Sequence, residues 1–562
     1  MSQPFRPGQR RFNDLVFLPL GGAGEIGMNL YLYGLDDGRR RQWIMVDLGV
    51  KFGDERDPGI DVILPDTAFI EAERRNLLGI VLTHAHEDHM GAVAWLWRRL
   101  RTPVYCTPFA AALVKGKLKE AGLLDEVKLN VVPLGARFDL GPFDIELVPV
   151  THSLPEPSAV AIRTPLGTVV HTGDWKLDRT PTIPPNLDEA RMQEIGAEGV
   201  RAVVGDSTNV LREGFSPSES EVEENLARII QDAPGRVAIT TFASHVGRLT
   251  SAIKAARATG REVVISGRSM RNVVEAAKSV GLLKDVGTLL DEDAFGYLPR
   301  DKKLILCTGS QGEPRAVMSR IAEDTHANVA LEAGDIAIFS SRVIPGNEKA
   351  IAAVVNSLAR RGIGIIGGED ALVQTSGHPR QGEIKLLYSW LKPEVVIPMH
   401  GEMRHLMRHQ SFARECGVPE SIAAVNGDLV RLAPGPAAII DKVPSGRLHV
   451  DGKLIVPSDG PVRPRRKLGF AGIVMVSLVL DEAGGLIGGP TLLSDGLPQH
   501  GATGDPLDGL LLDTANQAIS ALPRARRRED AAVAEAVRIA VRRHADALWG
   551  KKPVCRVMVH RV

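Results

Sequence analysis

The stretch THAHEDHMGA, residues 83–92, follows the apolar run GIVLT and packs three histidines and two carboxylates into six positions. Imidazole is the commonest protein ligand for zinc, and carboxylates complete such sites. In an extended segment, positions i and i+2 point the same way, so His84 and His86 face one point. Asp88 and His89 fall at the turn into a helix beginning near HMGAVAWLWRR and can face a second point a few ångströms away. The spacing H-x-H-x-D-H behind a buried strand therefore predicts ligands for two metals rather than a polar surface loop.

Two metals need further ligands. His152 in VPVTHS, Asp174 in VVHTGDWK and His400 in VIPMHGE each close an apolar run. His84, His86 and His152 make one three-nitrogen set, and Asp88, His89 and His400 make a second. Asp174 bridges them, and hydrolytic metal pairs separated by roughly 3.5–4 Å suit that arrangement. Asp47 in MVDLG is placed to orient ligand imidazoles from behind. His171 lies three residues before Asp174, and strand alternation sends it to the opposite side. Asp54, Glu55, Asp57 and Asp61 form an acidic stretch of the kind a structural Ca2+ prefers, with a solvated loop as the plainer reading.

The rest of the chain bounds the setting. At 562 residues it exceeds one core, and its 44% apolar and 24% charged content is ordinary for a globular protein. Lys+Arg equals Asp+Glu at 68 each, so any nucleic-acid surface must be local. The short basic runs Arg98–Arg101, Arg463–Lys467 and Arg524–Arg528 read as solvated faces or linkers. Cys106, Cys307, Cys416 and Cys555 form no Cys-x-x-Cys pair and suit a reducing compartment. The opening MSQPFRPGQRRFND lacks the apolar segment of a signal peptide, and the longest apolar run, residues 471–480, is too short to span a bilayer. A soluble cytoplasmic enzyme is expected.

Residues 15–205 alternate short β-branched runs with glycine turns. From 206 to 370 the texture changes to βα repeats, RVAITTFAS, EVVISGR, KLILCTGS and DIAIFSS, which predicts a doubly wound, Rossmann-like module. Ser216-Pro217-Ser218-Glu219 reads as a helix start, with Ser216 as cap and Glu219 closing a capping box. Polar motifs resume at QTSGHPRQGE and VVIPMHGE, so this module is expected to be inserted into the first. The division is 1–205, an insertion at 206–370, a return at 371–455, a linker at 456–466 and a small α+β appendage at 467–562. That appendage should hold two strands, a helix near 529–549 and a last strand. Val533, Val537, Ala540, Val541 and Leu548 form the stripe of the helix, and Gly550 lies past its end.

Asp47, the HAHEDH motif, His152 and the GD of HTGDWK resemble the metallo-β-lactamase superfamily, an α/β class whose fold is an αββα sandwich. Gly205-Asp206-Ser207-Thr208-Asn209, Ser376-Gly377-His378 and His400 in MHGE resemble motifs A, B and C of its β-CASP branch, nucleases with an inserted domain. GGAGEIGMN and SSRVIPGNE, with the C-terminal appendage, resemble the ribonuclease J family from about residue 15 to the end. The resemblance implies a zinc-dependent 5′-to-3′ exoribonuclease with endonuclease activity, acting in RNA maturation and decay. It carries two Zn2+ per subunit, with Mn2+ or Mg2+ as substitutes. Its implied partners are single-stranded, 5′-monophosphorylated RNA, a second copy or a tetramer of itself, and RNA-decay proteins; no membrane is implied. The metal ligands carried over are His84, His86, Asp88, His89, His152, Asp174 and His400. His378, Asp174 and Asp88 are the implied catalytic residues, with Asp47 and Asp206 supporting them. Gln374, Thr375, Ser376, Gly377 and His378 are implied to bind substrate.

One run departs from the family pattern. Where relatives continue TTFAS with Asn-x-His-Arg, this chain has Ser244-His245-Val246-Gly247-Arg248. Ala243, Ser244 and His245 are still expected to line the substrate cleft. A metal-activated hydroxide is expected to attack phosphorus, with His378 serving the leaving 3′-oxygen. Ser376 and the Gly377 amide are expected to hold a phosphate, as are the loops Gly309-Ser310-Gln311-Gly312 and Ser340-Ser341-Arg342. A DNA-directed β-CASP nuclease and a small-molecule metallo-hydrolase are the alternatives. A scaffold without catalysis would have lost ligands, and none is missing.

Overall fold

The computed structural model describes residues 12–562 apart from 285, 345 and 503. Residues 1–11, within the stretch read above for a leader, lie outside them. Two compact units form, one from residues up to Lys51 together with Leu64–Gly446, the other from Phe52–Ile63 with Arg447–Val562.

In the first unit, two sheets face each other. One has eight strands, running in space from Ala438–Lys442 through Asp428–Ala433, Asp14–Gly21, Leu30–Asp36, Arg41–Val46, Leu77–Val81 and Val104–Cys106 to Leu129–Val131. The other has seven, from Arg137–Leu140 through Phe143–Pro149, Ser158–Thr164, Gly167–His171, Val200–Asp206 and Val395–Met399 to Glu420–Ser421. Phe17, Tyr33, Ile44 and Val46 from the first sheet and Ile145, Val160, Val204 and Ile397 from the second fill one buried core between them. A second core beneath the seven-stranded sheet is capped by the helices Glu189–Glu198, Gln381–Leu391 and Met403–Glu415. This is the αββα sandwich. The strands are buried on both faces, which is why they read as continuous apolar runs rather than alternating ones.

The chain leaves the second sheet at Asp206 and rejoins it at Val395, where Val395–Met399 pairs in parallel with Val200–Asp206. Between them lies an all-parallel six-stranded sheet whose order places Val237–Thr240 between Lys303–Cys307 and Ile336–Phe339. Separate apolar cores cover its two faces, as a doubly wound module requires.

The first helix of this module starts two residues later than its sequence suggests. It spans Glu219–Asp232, capped by Ser218 with Glu221 closing the capping box. Ser216 is diverted: its N–H and hydroxyl donate to Glu383 Oε2 at 3.2 and 3.1 Å. Glu219, freed from capping, turns inward.

The second unit ends in a three-stranded sheet, Thr491–Asp495, Ile473–Leu480 and Val554–Arg561, packed on helices Leu507–Ala521 and Asp530–Trp549. The longer helix buries Val533, Val537, Val541 and Ala545 and ends at Gly550 with φ 78°. The helix Leu507–Ala521 was not anticipated. Residues 456–466, read as a linker, carry the end of the strand Leu454–Pro457 and the start of the helix Val462–Ala471. Among the described residues, no helix is long and apolar enough to cross a membrane.

Candidate metal centre

Asp47, His84, His152, Asp174, Asp206 and His400 all sit at or just beyond the C-terminal ends of strands in the two facing sheets. Arg41–Val46 and Leu77–Val81 are parallel neighbours in one sheet. Gly167–His171, Val200–Asp206 and Val395–Met399 are parallel in the other. The C-terminal ends of six strands thus open on one edge of the sandwich, the usual place for a site in such folds.

Two ligand sets converge there, each with its donor atoms within 4.8 Å of one another: His84, His86, His152 and Asp174, then Asp88, His89, Asp174 and His400. In the first, His86 Nδ1 lies 3.2 Å from His84 Nε2 and 3.2 Å from His152 Nε2. In the second, Asp88 Oδ2 lies 3.6 Å from His89 Nε2 and 3.3 Å from His400 Nε2. Ligands bound to tetrahedral zinc at about 2.0–2.1 Å stand about 3.3 Å apart, so both sets fit such an ion. The same oxygen serves both: Asp174 Oδ2 is 3.8 Å from His84 Nε2 and 3.2 Å from His89 Nε2. Asp174 Oδ1 and His400 Nε2 are buried without a hydrogen-bond partner, the condition that a bound cation relieves.

Asp47 orients one imidazole of each set. Its Oδ2 accepts from His89 Nδ1 at 2.7 Å and from the Thr83 hydroxyl at 2.8 Å. The Thr83 hydroxyl proton being committed to Asp47, its oxygen accepts from His84 Nδ1 at 2.9 Å. Both imidazoles therefore carry the proton on Nδ1 and turn Nε2 inward. Gly49 leaves the room this needs, since a Cβ there would lie 1.7 Å from Asp88 O. Thr83 and Asn29 were missed by sequence reasoning. Asn29 Nδ2 donates to Asp88 O at 3.0 Å and lies 2.9 Å from His89 Nε2, pinning the turn that carries both ligands.

Electrostatics divide the histidines. Burial holds His84 and His152 well below the usual imidazole range and lowers His86 to about 4, so the first set is neutral and free to ligate. Burial would do the same to His89, but Asp174, Asp88 and Asp47 push it up to about 10. His400 is raised as well, by Asp174, Asp206 and Asp88 against its burial. Protons on these two imidazoles balance an excess of buried carboxylate, and divalent cations would replace them.

His378 stands beside the second set. Its Nδ1 donates to Asp206 Oδ2 at 2.7 Å and lies 3.8 Å from Asp174 Oδ2. Asp206 is buried; His378 and His400 hold it ionised against its desolvation. Gly377 faces the first set: its carbonyl accepts from His152 Nδ1 at 2.6 Å. The loop around Ser376–His378 is anchored by Asn209, whose Nδ2 donates to Ser376 Oγ at 2.7 Å and to His378 O at 3.1 Å.

His171, set aside from the ligand sets on strand alternation, points into the core, 2.9 Å from the Tyr33 hydroxyl. Some expected residues fall elsewhere. Thr375 donates to Pro217 O at 2.9 Å and is scaffold, and Gln374 Oε1 is buried without a partner. His245, expected in the cleft, is buried: it caps the helix Val246–Ala258 through Arg248 N and lies 3.1 Å from Glu219 Oε1. Gly247 sits where a Cβ would lie 2.7 Å from Thr182 Oγ1, so a larger residue there would collide with that threonine. Around His245, Glu219 pairs with Arg248 at 2.8 Å, while Lys176 lies 2.9 Å from Asp178 and 3.7 Å from Glu219. This ion network is buried between the sandwich and the inserted module, and no sequence motif announces it. The acidic stretch proposed for Ca2+ is taken by cations: Asp54 pairs with Arg56 at 2.5 Å and Asp57 with Arg466 at 3.3 Å. Among the described residues, the groups able to hold a metal are confined to the sandwich edge.

Comparison with known families agrees with this geometry. The chain matches the profiles of the metallo-beta-lactamase superfamily over residues 37–267 and of the ribonuclease J beta-CASP domain over 234–358. Residues 371–420 match the Zn-dependent metallo-hydrolase RNA specificity domain and 460–562 the ribonuclease J C-terminal domain. It is 51% identical to ribonuclease J of Sinorhizobium meliloti over 550 residues, covering 98% of both chains. Ribonuclease J of Thermus thermophilus is 37% identical over 84% of this chain and 83% of its own. In fold, the chain resembles a protein of unknown function from Enterococcus faecalis V583, with a TM-score of 0.51 and 16% identity, covering 75% of this chain and 100% of that one.

Proposed function

The chain belongs to the ribonuclease J family, and on that premise we propose that it is a zinc-dependent ribonuclease. It removes nucleotides from the 5′ end of single-stranded RNA and also cuts internally, in RNA maturation and decay. The observation that carries this reading is Asp174 Oδ2 shared between two ligand sets, with the His378–Asp206 pair beside it.

His84, His86, His152 and Asp174 would hold one zinc ion and Asp88, His89, Asp174 and His400 the other, with Mn2+ or Mg2+ able to replace them. Bound there, the pair supplies positive charge to the phosphodiester and makes water a nucleophile at neutral pH. Asp47 keeps His84 and His89 in the ligating tautomer, and Gly377 O does so for His152. Asp206 accepts a hydrogen bond from His378 Nδ1 and aims Nε2 outward. His378 then gives its Nε2 proton to the leaving ribose 3′-oxygen, and Asp206 offsets the charge as it changes. In this reading residues 206–370 form the module that covers the substrate. The protein works in the cytoplasm as a homodimer or homotetramer.

The deciding experiment incubates purified protein with 5′-monophosphorylated RNA, 5′-triphosphorylated RNA and matched DNA, with and without chelator. Selective, chelator-sensitive cleavage of RNA is expected, fastest on the monophosphate. Equal rates on DNA would sink the ribonuclease reading, and activity surviving chelation would sink the metal reading.

A further inference from the structure

Glu383 stands at the third position of the helix Gln381–Leu391 and is fully buried. A glutamate there needs one oxygen to cap its own helix, and Oε2 does this by accepting from Arg380 N at 2.7 Å. The carboxylate does more. Oε2 also accepts from Ser216 N and Ser216 Oγ, and Oε1 accepts from Leu177 N at 3.0 Å. Ser216 is 167 residues away in the chain and Leu177 is 206. All four partners are donors, and among the described residues no cation pairs with this carboxylate. Burial pushes its carboxyl up, and the same N–H and O–H donors oppose that.

The three segments it holds are the ones that meet at the metal centre. Leu177 lies three residues after Asp174, which both ligand sets share. Lys176 N donates to Thr151 O at 2.8 Å and Thr151 Oγ to Lys176 O at 2.6 Å, so this stretch is also tied to the residue before His152. Ser216 is on the chain's way into the inserted module, and Arg380 is on its way back, two residues past His378. The two crossings are stitched together. Gln381 N donates to Arg212 O at 3.1 Å, Gly382 N to Gly214 O at 2.9 Å, and Ser216 Oγ to His378 O at 3.3 Å. A Cβ at Gly382 would lie 2.6 Å from Gly214 O, so this closeness requires glycine. Through Oε1, Glu383 joins the stitched pair to the Asp174 stretch. Asp178 makes the next tie, to Ser218 Oγ at 2.6 Å and Glu219 N at 2.8 Å. That tie leads into the module, whereas Glu383 leads back to His378.

We propose that Glu383 is a positioning residue for His378, setting where that imidazole stands relative to Asp174. The proposal rests on the reading of His378 as the proton donor. His378 Nδ1 lies 3.8 Å from Asp174 Oδ2, and a misplacement of about 1 Å in such a group costs about 100-fold in rate. Glu383→Gln keeps the size of the side chain but brings an NH2 group among donors. Turned towards Leu177 N, the amide leaves three of the four partners satisfied, so the Leu177 bond is the one lost. The return crossing then keeps its cap and loses its register with the Asp174 stretch.

The test is a double-mutant cycle in the metal-loaded, full-length enzyme on 5′-monophosphorylated RNA. Glu383→Gln should lower kcat by about 10- to 100-fold, with KM held and metal content full. In the His378→Ala background the same change should cost less than about twofold, because nothing remains to be positioned. A bond that only stabilises the fold would cost the same in both backgrounds. Equal costs would overturn the proposal while the loss in His378→Ala stands; full turnover in His378→Ala would sink the reading of His378 and this proposal with it. A second readout needs no turnover. With nitrogen-labelled histidine, the Nδ1–H resonance that disappears in His378→Ala should shift in Glu383→Gln, and an unmoved resonance would overturn the proposal. Should Glu383→Gln fail to fold, Ser216→Ala takes its place in the same cycle, since it removes a donor shared by Glu383 and His378 O. There a loss of about 3- to 10-fold is expected in the wild-type background alone, and equal losses in both backgrounds count against the proposal.

Discussion

His152 and Gly377 meet across 225 residues of chain, the imidazole Nδ1 2.6 Å from the Gly377 carbonyl oxygen. A Cβ at Gly377 would lie 2.5 Å from that ring. Gly377→Ala should therefore push His152 out of its ligand set while the protein stays folded. Metal affinity should fall by about 10- to 100-fold, the range for losing a partner behind a ligand. Competition against a chromogenic chelator measures this, and wild-type affinity in the variant would refute the coupling.

His378→Ala should lower turnover by about 10²–10⁴-fold, the range for a general acid, with full metal content. Asp206→Asn keeps the shape but replaces the carboxylate that accepts from His378 Nδ1 with a neutral amide, so turnover should fall here too, by less than in His378→Ala. Loss of metal from His378→Ala, read by elemental analysis, would reassign it as a ligand.

Glu219 is buried and answers Arg248, His245 and Lys176 at once. Removing one partner leaves buried charge uncompensated, so Glu219→Gln should cost about 3–5 kcal/mol of stability. Arg248→Met on top of Glu219→Gln should restore part of it. Denaturant unfolding reads both, and a loss below about 1 kcal/mol for Glu219→Gln would show that the network contributes little.

Buried His409, between the Ser207 hydroxyl at 2.8 Å and the Tyr388 hydroxyl at 2.5 Å, is lowered to about 4 by burial. The unfolded chain binds a proton there near pH 6.5, which the folded chain refuses until about 4. Stability from this group is complete above pH 6.5 and is lost as pH falls towards 4, by roughly 3 kcal/mol. Thermal melts in chelator across that window should show the loss, and His409→Gln should flatten it. An unchanged pH slope in the variant would exclude His409 as its source.

The cluster of candidate ligands was legible because metal binding restricts residue type and because His84, His152, Asp174 and His400 each follow an apolar strand that can be recognised alone. The same strands announced a sheet-rich layer, whereas the sandwich itself was implied by the family resemblance. Glu219 was misread for a local reason: Ser216 with Glu219 and Ser218 with Glu221 both satisfy the capping pattern, and the partner that decides between them, Arg248, is 29 residues away. His245 sits in the segment that leads to the cleft, but its ring turns the other way, towards that same glutamate. The acidic stretch after Asp47 invited a cation because Arg466, which neutralises it, lies 409 residues further on. The helix Leu507–Ala521 was missed because only Leu507, Leu511, Ala515 and Ile519 are buried, a narrow and partly small stripe. Contacts that depend on tertiary proximity leave no periodic trace.

The topology also dates the enzyme's first moment of activity. The strand carrying His400 enters the sheet beside the strand ending at Asp206, with the whole inserted module threaded between them. Chains are made from the N-terminus, and domains fold in that order. On the proposed ligand set, a ribosome must have released about seven-tenths of the 562 residues before the second metal has its histidine. Until then the growing chain holds only part of the proposed ligand set.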